Sequence, residues 1–108
     1  MTPVPPEQVE RFMAEIRPAA EAVCPHFGRS PDVCIQAAAE QSSWGRFVMG
    51  FNWWGLAGSG DAGYYQLVRP HRTGQRAGGG FAAEIERIAL FKSPSAAVEA
   101  WCRSTWAS

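Results

Sequence analysis

The residues with the most chemical potential are gathered in one stretch, QAAAEQSSWGRFVMGFNWWGLAG, which runs from Gln36 to Gly58. Glu40 and Gln41 stand side by side just before Trp44-Gly45, and Asn52, Trp53 and Trp54 follow shortly after. A carboxyl beside tryptophan rings can be kept protonated by the apolar wall and so donate a proton near neutral pH. A carboxamide of nearly the same shape keeps the hydrogen bonds but has no proton to give up. Glu84 and Glu86, two residues apart on an expected strand, face the same side and could act as base or electrostatic support, although a solvated hairpin face is the commoner meaning of such a pair. Asp61 sits in Gly60-Asp61-Ala62-Gly63, which is primarily a turn composition. His26 and His71 are isolated, and Cys24, Cys34 and Cys102 match no zinc spacing, so neither a metal nor a cofactor is expected. Cys34 has no histidine at a telling distance, and no serine lies in a nucleophile-elbow pattern.

These residues need elements to position them. Val9, Phe12, Met13, Ile16, Ala20 and Val23 recur at i, i+3, i+4 spacing and predict an amphipathic helix over about 7–23, with a kink or break near Ile16 because Pro18 removes a backbone donor. Ser30-Pro31-Asp32 is a helix start, with Ser as N-cap, Pro at the first position and an acid near the positive end. The helix that follows, about 31–43, carries Ala37-Ala38-Ala39 in its middle, which suits close packing, with functional groups at its C-terminal end. Six glycines among residues 44–63 make that stretch an ordered loop. Tyr64 to Arg69 and Ala83 to Phe91 read as two strands joined by the long turn RTGQRAGGG. Ser93-Pro94 repeats the cap-then-proline start, and Val98, Trp101, Cys102 and Trp106 give a closing helix with one apolar face. The predicted architecture is α+β, a mainly helical core with one β-hairpin lobe, in a single domain over residues 1–108.

Composition sets the outer bounds. The 108 residues are 46% hydrophobic, with five Trp, two Tyr and six Phe, enough to close one small core. Ten basic residues balance ten acidic ones, so there is no global field to gather nucleic acid or anionic membrane. No apolar stretch reaches the roughly 20 residues a bilayer span needs, and the start, MTPVPPEQVERF, lacks the basic and apolar regions of a secretory signal. Three cysteines cannot all pair internally; a Cys24–Cys34 bridge is one option and buried free thiols the other.

Taken with FMAEIRPAAEAV before it and FKSPSAAVEAW after it, the Gln36–Gly58 segment resembles the glucosaminidase family of bacterial cell-wall hydrolases, glycoside hydrolase family 73, which includes the domain of flagellar rod muramidases. The resemblance spans about residues 9–102. Pro18-Ala19 match the family's Pro-Ala step in the first helix, and Gln41 to Gly45 correspond to its Glu-Ser-Gly-Trp-Gly motif. Phe51-Asn52-Trp53-Trp54-Gly55-Leu56 approximate its Asn-Asn-aromatic-Phe-Gly-Ile loop, and Ile88 to Ser93 its Phe-Arg-x-Tyr-x-Ser motif. The resemblance implies a small lysozyme-like fold and cleavage of β-1,4 links in peptidoglycan, with the helix-end Glu as general acid.

The chain departs from that pattern at the acid. Anchored on Trp44-Gly45, the acid position is Gln41, and Glu40 is one residue early. One step along a helix turns a side chain by about 100°, so Glu40 replaces Gln41 only if the helix end is overwound or the turn has slipped. A disabled enzyme, a natural pseudoenzyme and an active enzyme using Glu40 all remain open. Phe91 stands at the Tyr position, so that hydroxyl is missing, and an acid common on the first hairpin strand is absent from Tyr64 to Arg72. Catalysis can also proceed through the substrate's own N-acetyl group.

By the resemblance, Asn52, Trp53, Trp54, Tyr64, Tyr65 and Gln66 form the cleft, with flat rings for sugar faces and amides for N-acetyl groups. Of Trp53 and Trp54, one packed and one exposed is expected; Trp44 reads as core, Trp101 and Trp106 as structural. Arg69, His71, Arg72 and Arg76 make the hairpin tip basic. The expected function is peptidoglycan hydrolysis of the endo-β-N-acetylglucosaminidase type at the bacterial cell wall or periplasm, by a monomer acting on glycan strands, with no nucleic acid and no membrane insertion. The rival is a non-catalytic glycan-binding or assembly module that keeps the fold.

Overall fold

The computed structural model describes residues 3–72 and 81–105. Helix α1 spans Pro6–Val23, a 3-10 turn follows at Cys24–Phe27, and helix α2 spans Pro31–Ser42. Strands β1 (Tyr64–Arg72) and β2 (Phe81–Ala89) form an antiparallel pair, and helix α3 (Pro94–Thr105) closes the chain. The α+β expectation is met, and no described helix is long and apolar enough to cross a membrane.

Helix α1 buries Phe12, Ile16, Ala19 and Ala20 on one face, the stripe its spacing predicts. It runs unbroken through Pro18, so the expected break near Ile16 does not occur. Pro18 lies on the exposed side, and buried contacts before and after it hold the helix together where one backbone hydrogen bond is lost. Helix α2 starts as its sequence dictates: Ser30 Oγ accepts from the Val33 N–H at 3.3 Å behind Pro31. Ser93 does the same for α3, accepting from Ala96 N–H at 3.1 Å.

The helical core holds Phe12, Ile16, Cys24, Cys34, Ala38, Trp53, Val98 and Trp101. Phe12 is its hinge, meeting both Trp44 and Trp53 edge-on at 5.7 Å and 6.1 Å between centroids. The three cysteines are buried free thiols, and Sγ of Cys102 lies 3.8 Å from that of Cys24. A Cys24–Cys34 bridge is therefore not formed.

Both strands differ from their predicted extents. β1 continues to Arg72, past Pro70, which is tolerated because β1 is an edge strand of a two-stranded sheet. β2 begins at Phe81 and stops at Ala89, since the next two residues turn to pair with the loop: Leu90 N–H donates to Gly63 O and Phe91 N–H to Gly50 O, each at 2.9 Å. The predicted turn from Thr73 to Gly80, and Trp106, lie outside the described residues, as do the side chains of the basic tip at Arg69, His71, Arg72 and Arg76.

Candidate functional site

The end of α2 is where the geometry becomes informative. Ser42 is fully buried; its hydroxyl donates to Ala38 O at 2.6 Å and accepts from Gly45 N–H at 2.8 Å. That bracket holds three successive residues, Ser43, Trp44 and Gly45, at positive φ (52°, 59° and 79°). For Ser43 and Trp44 such a conformation is strained by roughly 1–3 kcal/mol each. A second tie, from Gln8 Nε2 to Trp44 O at 2.8 Å, fastens the turn to α1. The turn carries the chain across the helix end and delivers residues 46–49 to the far side.

On that side lies a cleft of about 420 Å³. Gln41 projects into it from the last turn of α2, Tyr65 from β1, and Trp53 and Trp54 from the loop, with Arg46, Phe47, Val48 and Met49 along the remaining rim. Glu40 is turned away: it lines a separate groove between α1 and α2 with Met13, Ile35, Ala39 and Trp44, where Gln36 Nε2 reaches its carboxylate at 3.4 Å. Helix α2 stays α-helical through Ser42, and the normal turn per residue separates the two neighbours.

Asn52 lines the cleft but spends its polar atoms on the fold. Its Nδ2 donates to Ala89 O at 2.8 Å and Leu56 O at 3.0 Å, and its Oδ1 accepts from Leu56 N–H at 2.8 Å. The amide is a clamp between loop and hairpin rather than a group waiting for an N-acetyl partner. Trp53 is core, 3% exposed. Trp54 is half-buried; its Nε1 donates to Cys34 O at 3.3 Å, and its ring stacks on Trp101 at 5.8 Å. The packed-and-exposed expectation is thus close for this pair. Trp44, expected in the core, is 37% exposed instead, because the left-handed turn throws its ring to the outer edge of Phe12.

Strand alternation divides the remaining candidates. Tyr65 shares a face with its partner Ile88 and with the next pair along, Leu67 and Glu86. Tyr64 and Gln66 lie on the opposite face, where the Arg87 guanidinium covers the Tyr64 ring at 4.7 Å, so neither joins Tyr65 in the cleft. Glu86 and Glu84 occupy the Tyr65 face, about 7 Å and about 14 Å further along the strand axis. They do not line the cleft. Phe91 is buried under the loop, where Gly60 leaves room for its ring, and Asp61 accepts a hydrogen bond from Lys92 N–H at 2.8 Å, in keeping with its turn composition.

Among the described residues, the cleft therefore contains no carboxylate, and its one formal charge is Arg46. It offers aromatic walls, a carboxamide at the helix end and a cation at the rim. Sequence reasoning missed residues 46–49. The signal was present as an apolar run, Phe47-Val48-Met49, between two glycines in a loop with nothing of its own to bury it.

The elements form a small lysozyme-like α+β fold, with the cleft between helical core and hairpin. No protein-family model and no curated protein matches the chain. Solved structures do. The chain is similar to the catalytic domain of the autolysin Auto from Listeria monocytogenes, with a TM-score of 0.71 and 20% identity, over 98% of this chain and 63% of that one. It is also similar to a C-terminally truncated glycoside hydrolase domain of FlgJ from Salmonella typhimurium (TM-score 0.64, 12% identity, 92% of this chain and 74% of that one). A peptidoglycan hydrolase mutant from Sphingomonas sp. A1 gives 0.59 and 17% over 91% and 66%. The chain spans less than two thirds of the length of the autolysin domain. At these identities the likeness establishes the shared fold, the one that the sequence resemblance implies.

Proposed function

We propose that the chain is a glucosaminidase-type peptidoglycan hydrolase domain in which Gln41 holds the general-acid position. The observation that carries this reading is the placement of Gln41 in the aromatic cleft while Glu40, its neighbour, faces the other groove. A glutamic acid at that position would share the cleft with the Trp53 and Trp54 side chains, placed to hand a proton to the leaving glycosidic oxygen. Gln41 reproduces the shape and withholds the proton. The chain as it stands then binds β-1,4-linked cell-wall glycan, of the endo-β-N-acetylglucosaminidase substrate type, and leaves it uncut. Glu86, and beyond it Glu84, supply negative charge on the hairpin face shared with Tyr65; the substrate's N-acetyl group is the other available nucleophile. The site of action is the bacterial cell wall or periplasm, and the working form is a monomer on glycan strands.

The test is release of reducing ends from purified peptidoglycan by the chain and its Gln41→Glu and Glu40→Gln variants. An inert chain with an active Gln41→Glu variant supports the reading. Cleavage by the chain itself that is lost in Glu40→Gln overturns it. A second reading, a non-catalytic glycan-binding or assembly module, is favoured by the absence of any carboxylate in the described cleft; it predicts that Gln41→Glu binds glycan and still does not cut.

A further inference from the structure

We infer that Arg46, with Phe47 beside it, forms a subsite for a carboxylate carried on the glycan, so that the cleft selects acidic over neutral N-acetylglucosamine polymers. The inference rests on the glycan-cleft reading above and adds a specificity to it. Three observations carry it. First, Arg46 is exposed, it is the only charged side chain among the described cleft residues, and no ion pair engages it among the described residues. Its guanidinium lies 5.9 Å from the centre of the Phe47 ring, alongside an aromatic face rather than an acid. Second, Phe47 is 74% exposed and Met49 57%, two large apolar side chains held in solvent on the same rim.

Third, this rim is anchored at both ends. Arg46 N–H donates to Ser43 O at 3.3 Å and Phe47 N–H to Ser42 O at 3.1 Å, while Asn52 N–H donates to Met49 O at 3.1 Å. Ser42 and Asn52 are themselves buried and hydrogen-bonded, so the rim is hung between two fixed points. The arrangement combines a flat apolar platform for a pyranose face with a two-pronged donor beside it, in the cleft that Tyr65 and Gln41 also line. A guanidinium matches a carboxylate in geometry and charge, whereas a neutral acetamido sugar leaves its charge unanswered. In peptidoglycan the shared chemistry has two sources: the lactyl carboxylate of a muramic acid without its stem, and the free carboxylates of a stem peptide.

The test is a set of binding titrations, followed by tryptophan fluorescence at low ionic strength, with three probes. These are a chitooligosaccharide, amidase-treated glycan strands that expose the lactyl carboxylate, and strands that retain their stem peptides. The chain is expected to bind at least one acidic probe about tenfold more tightly than the chitooligosaccharide; which one identifies the carboxylate. In Arg46→Gln that ratio is expected to fall close to one, and in Arg46→Lys to a value between, with circular dichroism confirming that both variants fold. An acidic-to-neutral ratio that is near one in the chain, or that persists in Arg46→Gln, overturns the inference while leaving the cleft reading standing. Failure of all three probes to bind overturns both.

Discussion

Nδ2 of Asn52 lies 2.8 Å from the carbonyl oxygen of Ala89, a residue 37 positions later in the chain. Through this bond and two more to Leu56, one buried amide fixes the aromatic loop against the base of the hairpin beside the cleft.

Asn52→Ala should therefore cost about 3 kcal/mol, near 1 kcal/mol for each hydrogen bond left without its partner in a buried setting. Asn52→Asp should be at least as damaging, because it replaces the amide donor facing two carbonyls with a charged acceptor. Urea denaturation gives both values, and an Asn52→Ala variant as stable as the parent would show that the loop is held by other means.

Gly60 and Gly28 form a contrasting pair. A Cβ on Gly60 would run into the carbonyl oxygen of Leu90 and the Phe91 ring, and the carbonyl, being backbone, cannot move aside cheaply. Gly28 adopts φ +65° with open space around it, so alanine there meets only the left-handed penalty of about 1 kcal/mol. Gly60→Ala should shift the thermal midpoint by several times as much as Gly28→Ala.

The buried thiols should be silent in the folded protein. Burial, reinforced by the neighbouring Cys24, pushes Cys102 from 9.0 up to about 12 and Cys34 upward as well. Between those values the unfolded chain releases protons that the folded chain keeps, so stability falls as pH rises from 9.0. Urea midpoints measured across that range should decline and should decline less steeply in Cys102→Ala. Rapid alkylation of the native protein near pH 8, below the ordinary thiol range, would contradict the burial.

If Gln41→Glu restores cleavage, its activity should fall on the alkaline side as the new carboxyl loses its proton. Gln41→Asp, one methylene shorter, should be slower by about a hundredfold, since a displacement near 1 Å already costs that much. A pH–rate profile on both variants checks the two statements together.

Much of this molecule is written in local signals. Ser30-Pro31 and Ser93-Pro94 start α2 and α3 because capping needs only the residues within one turn. The stripe through Phe12 and Ile16 likewise marks the buried face of α1 from spacing alone. The alternation that parts Tyr64 from Tyr65 is just as local, yet which of them lines the cleft is not, since it depends on which face the hairpin turns toward the loop. Glu40 and Gln41 pose the same problem on a helix. With Ala37, Ala38 and Ala39 before them, α2 has no bulky stripe to reveal its phase, and its packing against α1 decides which neighbour enters the cleft. The amide of Asn52 could be read as a ligand group until a carbonyl far along the chain claimed it. By itself, the sequence determined the elements, their order and the stretch that supplies most of the cleft lining, because capping, periodicity and turn chemistry act over a few residues. Tertiary structure alone decided which atoms of that stretch are free to meet a ligand, because that choice is made by partners tens of residues away.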